Sequence, residues 1–162
     1  MHFPCTRFAT ASLVLAFLVA AAGLFCPAQA RSTAQNQAQG SPVGQWTTID
    51  DVTGKAKSIV VIREDSGKLY GTIETLLNPP VPNPTCNLCD GDKKDRPLVG
   101  LQILWDFQPD GSHWSGGEVL DPETGKVYKA SLALESGGKG LRLHGYIGIP
   151  LFGRTEHWIR AE

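Results

Sequence analysis

From residue 43 to residue 160 the chain repeats one unit: a short run rich in β-branched and aromatic residues, closed by a Gly-, Asp- or Pro-rich turn. No segment between these limits sustains the apolar spacing of an amphipathic helix. The repetition predicts an all-β fold of eight strands, at 43–49, 57–64, 68–77, 98–108, 113–120, 126–135, 140–148 and 154–160. The turns between them have physical causes. Asp65-Ser66-Gly67, Asp110-Gly111 and Gly137-Gly138 supply the left-handed backbone that tight hairpins require. Asp121-Pro122-Glu123-Thr124-Gly125 sets proline early and glycine late, as a β-turn prefers.

Alternation assigns the faces. Tyr128, Ala130, Leu132 and Leu134 share one side of the sixth run, with Lys129 and Ser131 on the other. In the seventh, Leu141, Leu143, Gly145 and Ile147 oppose Arg142, His144 and Tyr146. Strands apolar on one side need closure or a second layer. Sequential strands joined mostly by short hairpins predict an antiparallel up-and-down barrel, which leaves no exposed edge; a two-sheet β-sandwich is the alternative. A barrel of this strand number has room for packed side chains or one small ligand. One connection is long: residues 78–97 run through Asn78-Pro79-Pro80-Val81-Pro82-Asn83-Pro84 and hold Cys86 and Cys89. Loops of this length inside a compact domain are functional or disordered, and the cysteine pair favours an ordered one.

Ahead of the barrel region, residues 1–30 read as a cleavable signal peptide. Arg7 gives the basic head, Ala9 to Phe25 the apolar stretch, and Ala28-Gln29-Ala30 after Pro27 the small-x-small cleavage site. The apolar stretch is at the lower limit for crossing a bilayer core of roughly 30 Å, and no basic cluster follows to stop transfer. Cys26 raises a lipoprotein signal, but Phe25 stands where lipid attachment wants a small residue. Cleavage after Ala30 predicts a periplasmic or secreted protein with no transmembrane segment. Residues 31–42 are small and polar, a flexible lead-in to a single domain over 43–162. Cleavage removes Cys5 and Cys26 and leaves Cys86 and Cys89, an even pair in an oxidising compartment. It also removes Arg7 and no acid, taking the formal charge from −1 to −2. That balance speaks against nucleic-acid or anionic-membrane binding driven by net charge. The roughly 130 residues that remain are enough for one domain with a real core.

Several motifs then fall into a series. Gly44-x-Trp46 leads to Thr47-Thr48-Ile49-Asp50-Asp51, then Leu69-Tyr70-Gly71-x-Ile73, Cys86-x-x-Cys89, Pro97-Leu98-Val99-Gly100-Leu101 and Gly116-Gly117. Asp121-Pro122-Glu123-Thr124-Gly125-Lys126-x-Tyr128 and Gly145-Tyr146-Ile147-Gly148 follow, then Leu151-Phe152-Gly153-Arg154-Thr155-x-x-Trp158-x-Arg160. The series resembles the bacterial exported family called domain of unknown function 2147, over essentially all of residues 43–160. The resemblance implies an exported, lipocalin-like β-barrel and assigns no activity.

Gly44-x-Trp46 also resembles the signature of lipocalin-type barrels, in which a Trp at the closed end packs under an Arg of the last strand. Arg154 and Arg160 are the candidates, on one face with Trp158 and Glu156. A guanidinium over an indole gains roughly 0.5–2 kcal/mol, so the expected role is structural closure ahead of ligand contact. Tyr146 to Phe152 form an apolar connection that either lines a ligand entrance or lies as a lid on the barrel end; Tyr146 and Phe152 are its candidate contacts.

Cys86-x-x-Cys89 reads as a structural disulfide closing a tiny loop, with about 2 kcal/mol of stabilisation. The alternative is a redox pair, but prolines precede it and no helix start follows to lower a thiol pKa. No metal site is predicted: there is no second cysteine pair, and His113, His144 and His157 lack paired spacing. Asp90, Asp92 and Asp95 are interleaved with Lys93, Lys94 and Arg96, a solvated surface loop in place of a calcium loop. No Gly-x-Ser-x-Gly elbow is present. Glu74, Glu118, Glu135 and Glu156 lie in predicted strands, and Glu156 shares the face of Arg154, Trp158 and Arg160. No catalytic residue and no cofactor is predicted. The functional expectation is a binding protein for a small apolar or amphipathic ligand. The alternative is a non-catalytic envelope module whose partner is another protein; an enzyme ranks below both.

Overall fold

The hydrogen-bond ladder runs from each strand to its neighbour in sequence and returns from the last strand to the first. The computed structural model describes residues 40–50 and 53–161. The leader expected at 1–30, its Cys26 and the lead-in up to residue 39 lie outside the described residues. The strands are β1 Gly44–Ile49, β2 Ala56–Asp65, β3 Lys68–Leu76, β4 Gln102–Asp110, β5 His113–Asp121, β6 Lys126–Glu135, β7 Gly140–Tyr146 and β8 Gly153–Arg160. All pairings are antiparallel, and the sheet closes on itself as an up-and-down barrel, not a sandwich. Closure is made by the pairs Trp46↔Arg160 and Thr47↔Ile159.

The expected alternation sets the interior. Leu132 and Ala130 of β6 and Leu141 and Leu143 of β7 are buried in one core cluster with Trp46, Val60, Ile62 and Phe107. One pair of residues depends on a missing side chain: a Cβ on Gly117 would overlap the Phe107 ring, so β5 carries glycine where Phe107 crosses the barrel. Nearby the β3–β4 ladder slips, from Gly71↔Leu104 to Leu69↔Phe107, with Asp106 at φ 63° where β4 carries the extra residue. This is a β-bulge that bends β4 around the barrel.

Two of the strand limits that differ from the sequence expectation have a visible cause. β4 starts at Gln102, not at 98. Residues 98–101 turn instead: Leu101 N–H donates to the Leu98 carbonyl at 3.1 Å, with Gly100 left-handed at φ 86°. The seventh strand ends at Tyr146, before Gly148 at φ 77°. The contacts of the barrel also begin earlier than Val43. Pro42 is fully buried, and the Ser41 carbonyl accepts from Arg160 at 2.8 Å.

The long β3–β4 loop is ordered by packing. Cys86 and Cys89 are disulfide-bonded and buried. They lie against the β5–β6 turn, with Cys86 Sγ 3.6 Å from the Pro122 carbonyl. Gly125 in that turn is left-handed, and a Cβ there would overlap the Leu88 carbonyl. Farther along, Lys93 sits over the Trp105 ring, 5.3 Å from its centroid, while the indole N–H donates to Glu118 at 2.8 Å. Lys57 and Glu123, 2.7 Å apart, tie β2 to the β5–β6 turn at the same end.

Candidate functional site

The two ends of the barrel differ in what fills them. At one end the start of β1 meets the end of β8. Gly44 removes a side chain that would stand 3.0 Å from Arg160 Nη1, and the guanidinium lies over Trp46 at 4.2 Å. Arg160 donates to the carbonyls of Gly138 (2.7 Å), Val43 (3.2 Å) and Ser41 (2.8 Å). Trp46 donates its indole N–H to the Pro42 carbonyl at 2.7 Å. Every polar group of this cluster is thereby directed to backbone, and the end is closed. Of the two arginines that alternation places on one face, Arg160 meets Trp46 and Arg154 does not: Arg154 is at the opposite end of β8.

That opposite end holds a cavity of about 560 Å³. Its apolar wall includes Ile73, Ile103, Leu143 and Trp158 from the barrel interior. Pro79, Pro80 and Leu98 of the β3–β4 loop and Ile147 and Phe152 of the β7–β8 connection continue that wall to the mouth. Polar groups face the same space: Thr48 and Ser58 from β1 and β2, Glu156 and Arg154 from β8, and Tyr146 at the rim. The volume lies within the range of small-molecule pockets, and so does the mixture of an apolar wall with a few placed polar groups.

The polar groups are oriented from within the protein. Trp158, buried, donates its indole N–H to Glu156 Oε2 at 3.0 Å, which fixes the carboxylate toward the cavity. The Thr48 and Ser58 hydroxyls are 2.7 Å apart, and the Ser58 N–H donates to Thr48 Oγ1 at 3.1 Å. The β7–β8 connection is tied to the wall by His144. Its Nε2 donates to the Pro150 carbonyl at 2.8 Å, and its Nδ1 lies 2.9 Å from the Thr155 hydroxyl. The His144 and Tyr146 rings stack with centroids 5.9 Å apart.

The structure therefore divides the expected site residues. Arg154, Trp158, Tyr146 and Phe152 border the cavity; Trp46 and Arg160 form the closed end. Of the four glutamates named as candidates, Glu156 lines the cavity. Glu74 instead accepts from Gln45, Glu118 from Trp105, and Glu135 contacts Arg142 and His157. Sequence reasoning missed Thr48 and Ser58. Their signal was present, since Thr48 is two residues from Trp46 and Ser58 two residues from Val60, on the inward phase of each strand. It also missed an outer cluster in which Asp106 accepts from Lys68 Nζ at 2.8 Å and from the Tyr70 hydroxyl at 3.2 Å. The Lys68 hydrogen bond holds the Asp106 carboxyl below its ordinary range, and the same bond raises Lys68. Tyr70 is raised chiefly by desolvation, with the Asp106 charge adding to it.

No curated protein matches the chain. Among solved structures it is similar to protein HP1028 from the human pathogen Helicobacter pylori, described as belonging to the lipocalin family. The identity is 22% and the TM-score 0.66, over 75% of this chain and 84% of that one. At that identity the likeness speaks for the fold. Residues 44–160 match the family model described as an uncharacterized protein conserved in bacteria, DUF2147. Trp46 and Arg160, the pair that closes the barrel, fall within the matched span. By its sequence over the whole barrel the chain belongs to the DUF2147 family, whose member here is a closed lipocalin-like barrel.

Proposed function

We propose that the protein is an exported, non-catalytic carrier that holds one small amphipathic molecule in the open end of its barrel. The observation that carries this reading is the cavity of about 560 Å³ between a closed end and an open mouth, apolar on most of its wall and polar at a few points. An apolar segment would pack against Ile73, Ile103, Leu143 and Trp158. A polar group would meet Glu156, Arg154 and the Thr48–Ser58 hydroxyls. Export is supported by the signal-like sequence of residues 1–30. The non-catalytic reading is supported by the partners of the polar groups: the Ser58 hydroxyl contacts Thr48, not a base, and Glu156 receives an indole N–H.

Native mass spectrometry of protein recovered from its producing cell tests the reading. The expected result is a single non-covalent adduct per chain, lost on solvent extraction and restored by an alkyl amphiphile. Protein that arrives empty and takes up no amphiphile would overturn it.

A further inference from the structure

Eight consecutive residues from Tyr146 to Gly153 carry no charge, and they form the connection at the mouth of the cavity. Ile147 is 70% exposed, Ile149 56%, Leu151 79% and Phe152 71%. Among the described strand residues most large apolar side chains are buried, with Val127 and Ile159 as separate exposed ones, so this segment concentrates on one loop what the strands mostly hide. Isolated exposed apolar residues are ordinary; four on one projecting loop are not. Ile147 and Phe152 also line the cavity, so one apolar surface runs from the interior to the loop tip.

We infer that this lip docks the open end onto a lipid bilayer, an inference that rests on the carrier reading and names the source of its ligand. Three observations favour lipid over a protein partner or a second copy. First, part of the tip's backbone is already partnered within the protein. Pro150 has no N–H, its carbonyl already accepts from His144 Nε2 at 2.8 Å, and the Phe152 N–H donates to the Ile149 carbonyl at 3.3 Å. Each backbone group partnered in this way is cheaper to place in an apolar phase and is closed to strand pairing with a protein. Second, the base of the lip has the composition of a membrane interface. Tyr146 stands there, with Lys129 opposite it in register and Arg154 opposite Gly145. Third, the side chains project from a loop instead of forming a flat face, and the β3–β4 loop adds Val81 and Leu88, each more than half exposed, at the same end. A molecule that enters the cavity between Ile147 and Phe152 would then pass from bilayer to barrel without crossing water.

Flotation with phosphatidylcholine vesicles, alone and mixed with phosphatidylglycerol, tests the inference on protein recovered from its producing cell with its N-terminus read by mass. The wild-type protein is expected to float with both. Ile149→Ser/Leu151→Ser should float at least roughly tenfold less, since insertion scales with the apolar area buried. In a Leu151→Trp variant, brominated phospholipid should quench the added fluorescence. Neither Ile149 nor Leu151 lines the cavity. Uptake of an alkyl amphiphile in vesicle-free solution should therefore be the same in the double variant and the wild type. Equal flotation of both proteins with no quenching, or a dimer that the double variant dissolves, would overturn the inference and leave the carrier reading standing. Failure of the wild type to take up the amphiphile in solution would overturn the carrier reading whatever the vesicles show.

Discussion

Arg160 makes more contacts than its position near the end of the chain suggests. It covers the Trp46 ring and donates to three backbone carbonyls that belong to β1's approach and the β6–β7 turn. Arg160→Met keeps much of the stem but leaves those carbonyls without their donor. Charge-assisted hydrogen bonds and the cation–π contact together predict a loss of about 3 kcal/mol in urea unfolding. A change within roughly 0.5 kcal/mol would mean the cluster is decorative. The outer cluster of Lys68, Tyr70 and Asp106 makes a pH prediction. Because Asp106 is held below its usual range, its favourable contribution is present above the ordinary carboxylate pKa and fades as pH falls through the depressed value. Lys68 is raised, so its share is present below the ordinary lysine pKa and is lost as pH rises through the raised one. Lys68→Ala should return the Asp106 titration, followed by carboxyl NMR, upward to the ordinary range; an unmoved titration would assign the depression to another cause. The Trp46 partner was narrowed to two arginines by alternation. Choosing Arg160 required the β1–β8 register, which no local pattern contains. Asp106 was illegible for a different reason: a bulge breaks the period that sequence reading depends on.

The β3–β4 loop behaves as an element although it is mostly irregular. Its short disulfide, the Lys93–Trp105 contact and the fit of Leu88 against Gly125 fix it to two neighbouring parts of the barrel. Its Pro79, Pro80 and Leu98 in turn border the cavity. Replacing both cysteines by serine should lower stability by about 2 kcal/mol. It should also expose residues 78–101 to limited proteolysis while the barrel strands stay protected. Unchanged cleavage would show that packing alone orders the loop. The eight strands were legible because short apolar–polar alternation and turn residues agree along the whole chain. The misplaced limits fall where apolar residues continue past the hydrogen bonds. Leu98, Val99 and Leu101 read as strand but form a turn stopped by Gly100, and Ile147 reads as strand but turns at Gly148. Periodicity reports which residues are apolar; it does not report where a partner strand ends.

The barrel as a body is closed at one end and hollow at the other. The asymmetry comes from the side chains each half receives: Trp46, Phe107 and Leu141 fill one half, whereas Thr48, Ser58, Gly145 and Glu156 occupy comparable inward positions in the other. The presence of a barrel followed from alternation, but the cavity did not, because its volume depends on the register that sets small residues beside one another. Gly145 makes the point testable. A Cβ there would stand 3.5 Å from Val119, ordinary contact, so a larger side chain grows into the cavity instead of into the wall. Gly145→Phe should weaken amphiphile binding at least roughly tenfold, with stability kept within about 1 kcal/mol. An undiminished affinity would place the ligand elsewhere. The most direct test of the carrier account is a 1H–15N and methyl NMR titration of the protein with a medium-chain alkyl amphiphile below its micelle concentration. The account predicts saturable shifts at Ile73, Ile103, Leu143 and the Trp158 indole, with the Trp46 indole at the closed end unmoved. Shifts confined to the outer surface, or none at all, would contradict it.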